Sequence, residues 1–171
     1  MGFLVMDTIG FLKKWGPKWG IKSKTPPSAN FPIGPYRLDM QIVGLSGLKE
    51  FTKIEYRGVT RQFKGERIYY APDAEYLGYH WKMMLNVVNG MVYKITAYIE
   101  TKDKDLANSA AMNTFIYCKN QIGEPNKQRN EMFIWKTIEG DIALQTTQAP
   151  EGFGINLFLT SHAIRDFSRL W

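Results

Sequence analysis

Along most of the chain apolar and polar residues alternate in short runs separated by turn residues. The clearest of these runs, residues 79–88 and 91–100, are rich in β-branched and aromatic side chains and flank Asn89-Gly90. Asn-Gly supplies the two positive-φ positions of a type I′ turn, so this stretch predicts a long β-hairpin. With Val88 opposite Met91, Trp81 is expected to face Tyr98, Met83 to face Thr96 and His80 to face Ile99. Neither side of the hairpin is plainly polar, which predicts a central place in the sheet with a helix over one side and partial cover on the other.

Between residues 103 and 121 the period changes from two to 3.6. Ala107, Ala111, Phe115, Cys118 and Ile122 fall on one stripe, widened by Leu106, Ala110 and Tyr117. Asp103 or Asp105 can cap the start of this helix, and Gly123 with Pro125 ends it. The stripe is expected to lie on the sheet.

The remaining runs are shorter. Residues 54–56 and 62–70 read as strands separated by a turn at Gly58, and residues 132–138 and 141–147 as a second hairpin around Glu139-Gly140. Phe153, Ile155, Leu157 and Leu159 alternate with Gly154, Asn156, Phe158 and Thr160, the pattern of a strand with one buried face. Ser46 is a candidate cap for a short helix ending near Thr52, and Ser161 for a final short helix with Ile164, Phe167 and Leu170 on its apolar side. The predicted fold is α+β: an antiparallel sheet of about six to eight hairpin-linked strands, one long helix over about 103–121 packed on one face, and a short C-terminal helix.

Residues 1–30 break this pattern. Residues 1–19 space Phe3, Leu4, Ile9, Phe11, Leu12 and Trp15 loosely at helical intervals, Gly16-Pro17 stops a helix, and residues 22–35 contain four prolines. The division expected is a basic aromatic arm and Pro-rich linker over 1–30, followed by a single domain over 31–171. Charge sharpens it. The chain carries a formal +6, and residues 1–27 hold five lysines against Asp7, a net +4 that leaves only +2 for everything else. Lys13, Lys14 and Lys18 beside Trp15 and Trp19 are candidates for weak contact with an anionic membrane surface. The small charge of the body argues against nucleic acid as a partner, because that reading needs lysines and arginines of the body to converge with strand aromatics on one face.

Aromatics make up 14% of the residues, so core and binding surfaces alike must use large flat side chains. No apolar run reaches the roughly eighteen residues of a membrane span. The lysines follow the first apolar stretch where a secretory signal has them before it. With one cysteine the chain forms no internal disulfide. A cytoplasmic protein, attached at most to the membrane periphery, is expected.

The chain lacks a Gly-rich phosphate loop, HExxH, CxxC and GxSxG; Gly152-Phe153-Gly154 lies in strand-like sequence and opens no helix. Two histidines cannot build a histidine-rich metal site, and no cofactor or catalytic residue is implied. Cys118 reads as a small buried hydrophobe on the helix stripe, His80 as a hydrogen-bonded sheet residue, and His162 as a neutral residue at a helix start. Glu55, Glu66, Glu75, Glu100 and Glu131 are scattered, with no pairing visible in sequence.

What stands out is the set Tyr69, Tyr70, Tyr76, Tyr79, Trp81, Tyr93 and Tyr98 in neighbouring strands, rimmed by Lys82, Lys94 and Arg67. Such residues fill sheets by cross-strand packing, and they also line pockets for planar ligands. The functional expectation is a non-enzymatic binding or interaction module. It would contact a small apolar or planar molecule, or a protein partner, through an aromatic sheet face carrying Tyr79, Trp81, Tyr93 and Tyr98. A homo-oligomer is compatible with this. The rivals are a small acid-base enzyme with a sheet-helix cleft around His80 and membrane attachment through the arm.

Overall fold

The computed structural model describes residues 32–51 and 65–163. Eight antiparallel strands form one sheet: β1 (Lys49–Glu50), β2 (Arg67–Tyr76), β3 (Tyr79–Val88), β4 (Met91–Thr101), β5 (Lys127–Arg129), β6 (Met132–Lys136), β7 (Gly140–Ala149) and β8 (Gly152–Ser161), with one helix, α1 (Lys104–Ile122), between β4 and β5. The order across the sheet is β1-β2-β3-β4-β8-β7-β6-β5. Two four-stranded meanders thus meet at β4 and β8, and α1 carries the chain from the middle of the sheet to its far edge. The α+β class and the antiparallel sheet agree with the sequence reading.

The Asn89-Gly90 turn forms as expected, with both residues at positive φ and Val88 opposite Met91. The register further out is one residue away from the expected one. A bulge after the turn pairs Val87 with Val92 and Asn86 with Lys94, so Tyr93 is the extra residue; beyond it Lys82, not Trp81, faces Tyr98, and Met84, not Met83, faces Thr96. A bulge adds one residue to one strand and leaves no trace in an alternating pattern whose both sides are apolar. A second bulge in β2, between Ala71 and Ala74, holds Pro72, which has no N–H to give a ladder. It lets β2 run on to Tyr76, beyond the expected end at Tyr70.

Asp103 caps α1, its carboxylate accepting from the amides of Asp105 at 2.9 Å and Leu106 at 3.0 Å. Ala107, Ala110, Ala111, Thr114, Phe115 and Cys118 are buried, whereas Leu106 is turned outward, 39% exposed. Phe115 sits edge-on to Phe133 at 4.9 Å and tilted to Trp135 at 5.8 Å. The Trp135 indole donates to the Gly123 carbonyl (2.9 Å), tying the helix end to β6.

No helix starts at Ser46. Gly44 and Gly47 both take positive φ there, and the chain enters β1 instead. The second hairpin turns through Thr137–Glu139, where the Thr137 hydroxyl donates to the Gly140 carbonyl at 2.8 Å; β5 was not anticipated. Ser161 ends β8, and no helix follows it among the described residues. The expected arm, the strand at 54–56 and most of the expected C-terminal helix lie outside those residues.

Candidate functional site

Alternation along the strands separates two faces. Trp81, Met83, Leu85, Ile95, Ala97, Ile142, Leu144, Ile155, Leu157 and the buried stripe of α1 belong to one core cluster, which Ile33, Tyr36 and Leu38 join. This face is closed. On the opposite face Lys82, Met84, Thr96, Tyr98, Asn156, Phe158, Ala143 and Gln145 come together by register across β3, β4, β8 and β7. Apart from the buried Thr96, these are half-buried or exposed, and no helix of the described residues packs on them.

The four aromatic candidates divide between the faces. Trp81 is fully buried, its indole donating to the Tyr76 carbonyl at 3.0 Å. Tyr79 is half-buried on the same side, and its hydroxyl accepts from the Asn113 amide of α1 at 2.7 Å. Tyr93, pushed out of register by the bulge, is buried on the other side. Its hydroxyl donates to the Glu66 carboxylate, which also accepts from the Asn86 amide at 2.7 Å. Glu66 is only 1% exposed, and these two hydrogen bonds help to satisfy its buried oxygens. Tyr98 alone of the four stands half-exposed on the open face. Burial, then Tyr70 and the Glu100 and Asp73 carboxylates, raise its phenol above the ordinary value, so it stays neutral.

Two lysines lie over rings on this face. The Lys82 ammonium is 5.7 Å from the Tyr98 ring centre, with Glu100 at 3.5 Å, and the Lys94 ammonium is 5.4 Å from that of Phe158. Phe158 is absent from the aromatic set the sequence brings forward, because alternation places it on the outward side of its strand.

At one end of the same face β8 carries two glycines on the same side of the pleat. Gly154 lies opposite Glu100 of β4 and Thr147 of β7, and Gly152 opposite Ala149. A side chain at Gly152 would run into the Thr101 carbonyl, and one at Gly154 into the Thr147 hydroxyl. Beside them a cavity of about 480 Å³ lies between Glu100, Lys102, Thr147, Ala149 and Glu151. Asn156 and Tyr98 continue it toward the sheet centre, one step further along β8 and β4.

The other chemistry candidates are occupied. Cys118 is buried, and burial pushes its thiol up to about 12. His80 lies between two carboxylates, Nδ1 at 2.7 Å from Glu75 and Nε2 at 2.9 Å from Asp73; these bonds raise its pKa, Glu75 contributing more. Both ring nitrogens donate in that arrangement, which requires the imidazolium. His162 lies just past β8, 2.8 Å from Asp141 through Nε2. Among the described residues no three histidine, cysteine or carboxylate side chains converge to hold a metal, and no helix is long and apolar enough to cross a membrane. Lys13, Lys14, Trp15, Lys18 and Trp19 lie outside the described residues.

No protein-family model matches the chain, and neither a curated protein nor a solved structure does.

Proposed function

We propose that this protein is a non-enzymatic binding module whose site is the open face of its sheet, with the cavity beside Gly152 and Gly154 as its pocket. The carrying observation is the alignment of those two glycines on the outward side of a strand whose other outward residues are Asn156, Phe158 and Thr160. Glycine inside a strand weakens it, by roughly 0.5–1 kcal/mol relative to alanine; here the Thr101 carbonyl and the Thr147 hydroxyl stand where the side chains would, and the strand end beside the cavity has no outward side chain of its own to block a ligand. Around them stand the carboxylates of Glu100 and Glu151, the Lys102 ammonium and the hydroxyls of Thr101 and Thr147, with Tyr98 and the Asn156 amide inward. That is the composition of a small-molecule site, a flat apolar floor with a few convergent polar groups. The engagement of both His80 nitrogens by carboxylates and the burial of Cys118 favour binding over catalysis.

The planar anionic dye 8-anilinonaphthalene-1-sulfonate tests the reading. The native protein is expected to bind it at one site with a blue-shifted emission. Ala149→Trp, which places a large ring at the cavity wall on an exposed strand end, should weaken binding about tenfold, a loss of about 1.4 kcal/mol, without changing thermal stability. Dye binding indifferent to this substitution would remove the cavity from the site.

A further inference from the structure

The arrangement of cations and rings on the open face says more about the ligand. Lys82 and Tyr98 are cross-strand neighbours on β3 and β4, and Lys94 and Phe158 are diagonal neighbours on β4 and β8, so the same unit, an ammonium over a ring, occurs twice in a row across the sheet. Tyr98 pairs with Asn156 and Phe158 with Thr96, which puts the rings in diagonal positions about 7–8 Å apart by sheet geometry. Each can thus take a separate planar group. Asn156 pairs with Tyr98 and Gln145 with Asn156, so two amides able to meet base edges lie alongside. Glu100 accompanies Lys82, whereas among the described residues no carboxylate pairs with Lys94. Lys49 of β1, opposite Tyr70, and Lys127 of β5, opposite Ile134, lie on this side toward the two edges of the sheet, while Lys136 of β6 stands opposite Asp141. Carboxylates share this side, Glu100 beside Lys82, Asp73 near Tyr98 and Asp141 opposite Lys136, so the pairing of ammonium with ring, and not net charge, marks the face.

We infer that the open face binds single-stranded nucleic acid, Tyr98 and Phe158 stacking on two neighbouring bases while Lys82 and Lys94 meet the phosphates. The inference rests on the open face being the binding surface and adds the ligand class. Base stacking on rings that are partly open to solvent, and salt-sensitive phosphate contacts, are how such strands are held without sequence readout. A duplex buries its bases and has nothing to offer Tyr98 and Phe158.

The test is fluorescence anisotropy of a labelled oligothymidylate with the full chain, over a range of salt concentrations. Binding is expected to weaken steeply with salt and to exceed that of the matching duplex. Tyr98→Leu and Phe158→Leu, which keep apolar bulk but lose the ring, should each weaken it about tenfold. Lys94→Gln, a substitution that leaves the fold alone, should lower the salt slope by about one. Binding that survives both leucine substitutions would mean that lysines elsewhere in the chain hold the strand, and overturns the inference. So does an absence of binding at low salt. If the dye still binds at the cavity in that case, the open-face reading survives alone, and if the dye fails too, both fall. A dimer that Phe158→Leu dissociates, with no oligonucleotide bound, assigns the face to a second copy and overturns the inference as well.

Discussion

The two faces of this sheet are made by the same strands from the same kinds of residue and end in opposite states. On the closed face β-branched, aliphatic and aromatic side chains meet the alanine-rich stripe of α1, and Trp81, Leu85, Ile95 and Leu157 are lost to solvent. On the open face Tyr98 and Phe158 lie beside lysines and amides, half-exposed. Large aromatics serve both purposes because a ring is an apolar mass when enclosed and a stacking surface when not. What separates the two roles is whether another element arrives on top.

If that contrast is right, equal substitutions should have unequal costs on the two faces. Phe115→Ala removes the ring that joins α1 to Phe133 and Trp135, and should destabilise the fold by about 3–5 kcal/mol in urea unfolding. Phe158→Ala on the open face should cost less, about 1–2 kcal/mol, since part of its ring stays in water in the folded state. Equal losses at the two positions would erase the distinction.

Tyr93 offers an intermediate case, a buried polar cluster on the otherwise open side. Tyr93→Phe withdraws a donor from the buried Glu66 carboxylate, and a loss of about 1–3 kcal/mol in equilibrium unfolding is expected. A neutral outcome would mean that the carboxylate does not depend on that hydroxyl.

Cys118 probes the closed face chemically. Buried, with its thiol pushed up to about 12, it should react slowly with Ellman's reagent at neutral pH and quickly once the protein is unfolded. Fast labelling of the native protein would show that the helix does not seal that side.

The smallest effect belongs to His80, which is exposed. Its pKa is raised in the folded state by Glu75 and Asp73, so the stabilisation from this clamp is fully present below about pH 6.5, the unfolded value, and is lost as pH rises through the raised folded value. Subtracting the pH-stability profile of His80→Gln from that of the native protein should reveal a shallow decline in that window, and a flat difference would remove the clamp.

Local chemistry was legible where one or two residues decide it. Asn89-Gly90 specified its turn, Asp103 its cap, and the spacing from Ala107 to Cys118 the buried side of α1, because each is a property of backbone φ/ψ or of a single period. The helix expected at Ser46 failed because two glycines at positive φ favour an irregular entry to β1, and β5 is too short to show a period. The register of β3 on β4 was not legible either, since a bulge costs one residue and the apolar residues on both sides of these strands hide the slip. Most of all, sequence could not divide Tyr79, Trp81, Tyr93 and Tyr98 between faces. Alternation marks which residues share a side, but only the return of α1 across β4, β8 and β7 decides which side is buried. The cavity beside Gly152 and Gly154 has the same origin: two glycines in a strand are a local fact, and the neighbours that line a cavity beside them, Glu100 from one meander and Thr147 from the other, are brought there only by the joining of β4 to β8 to β7.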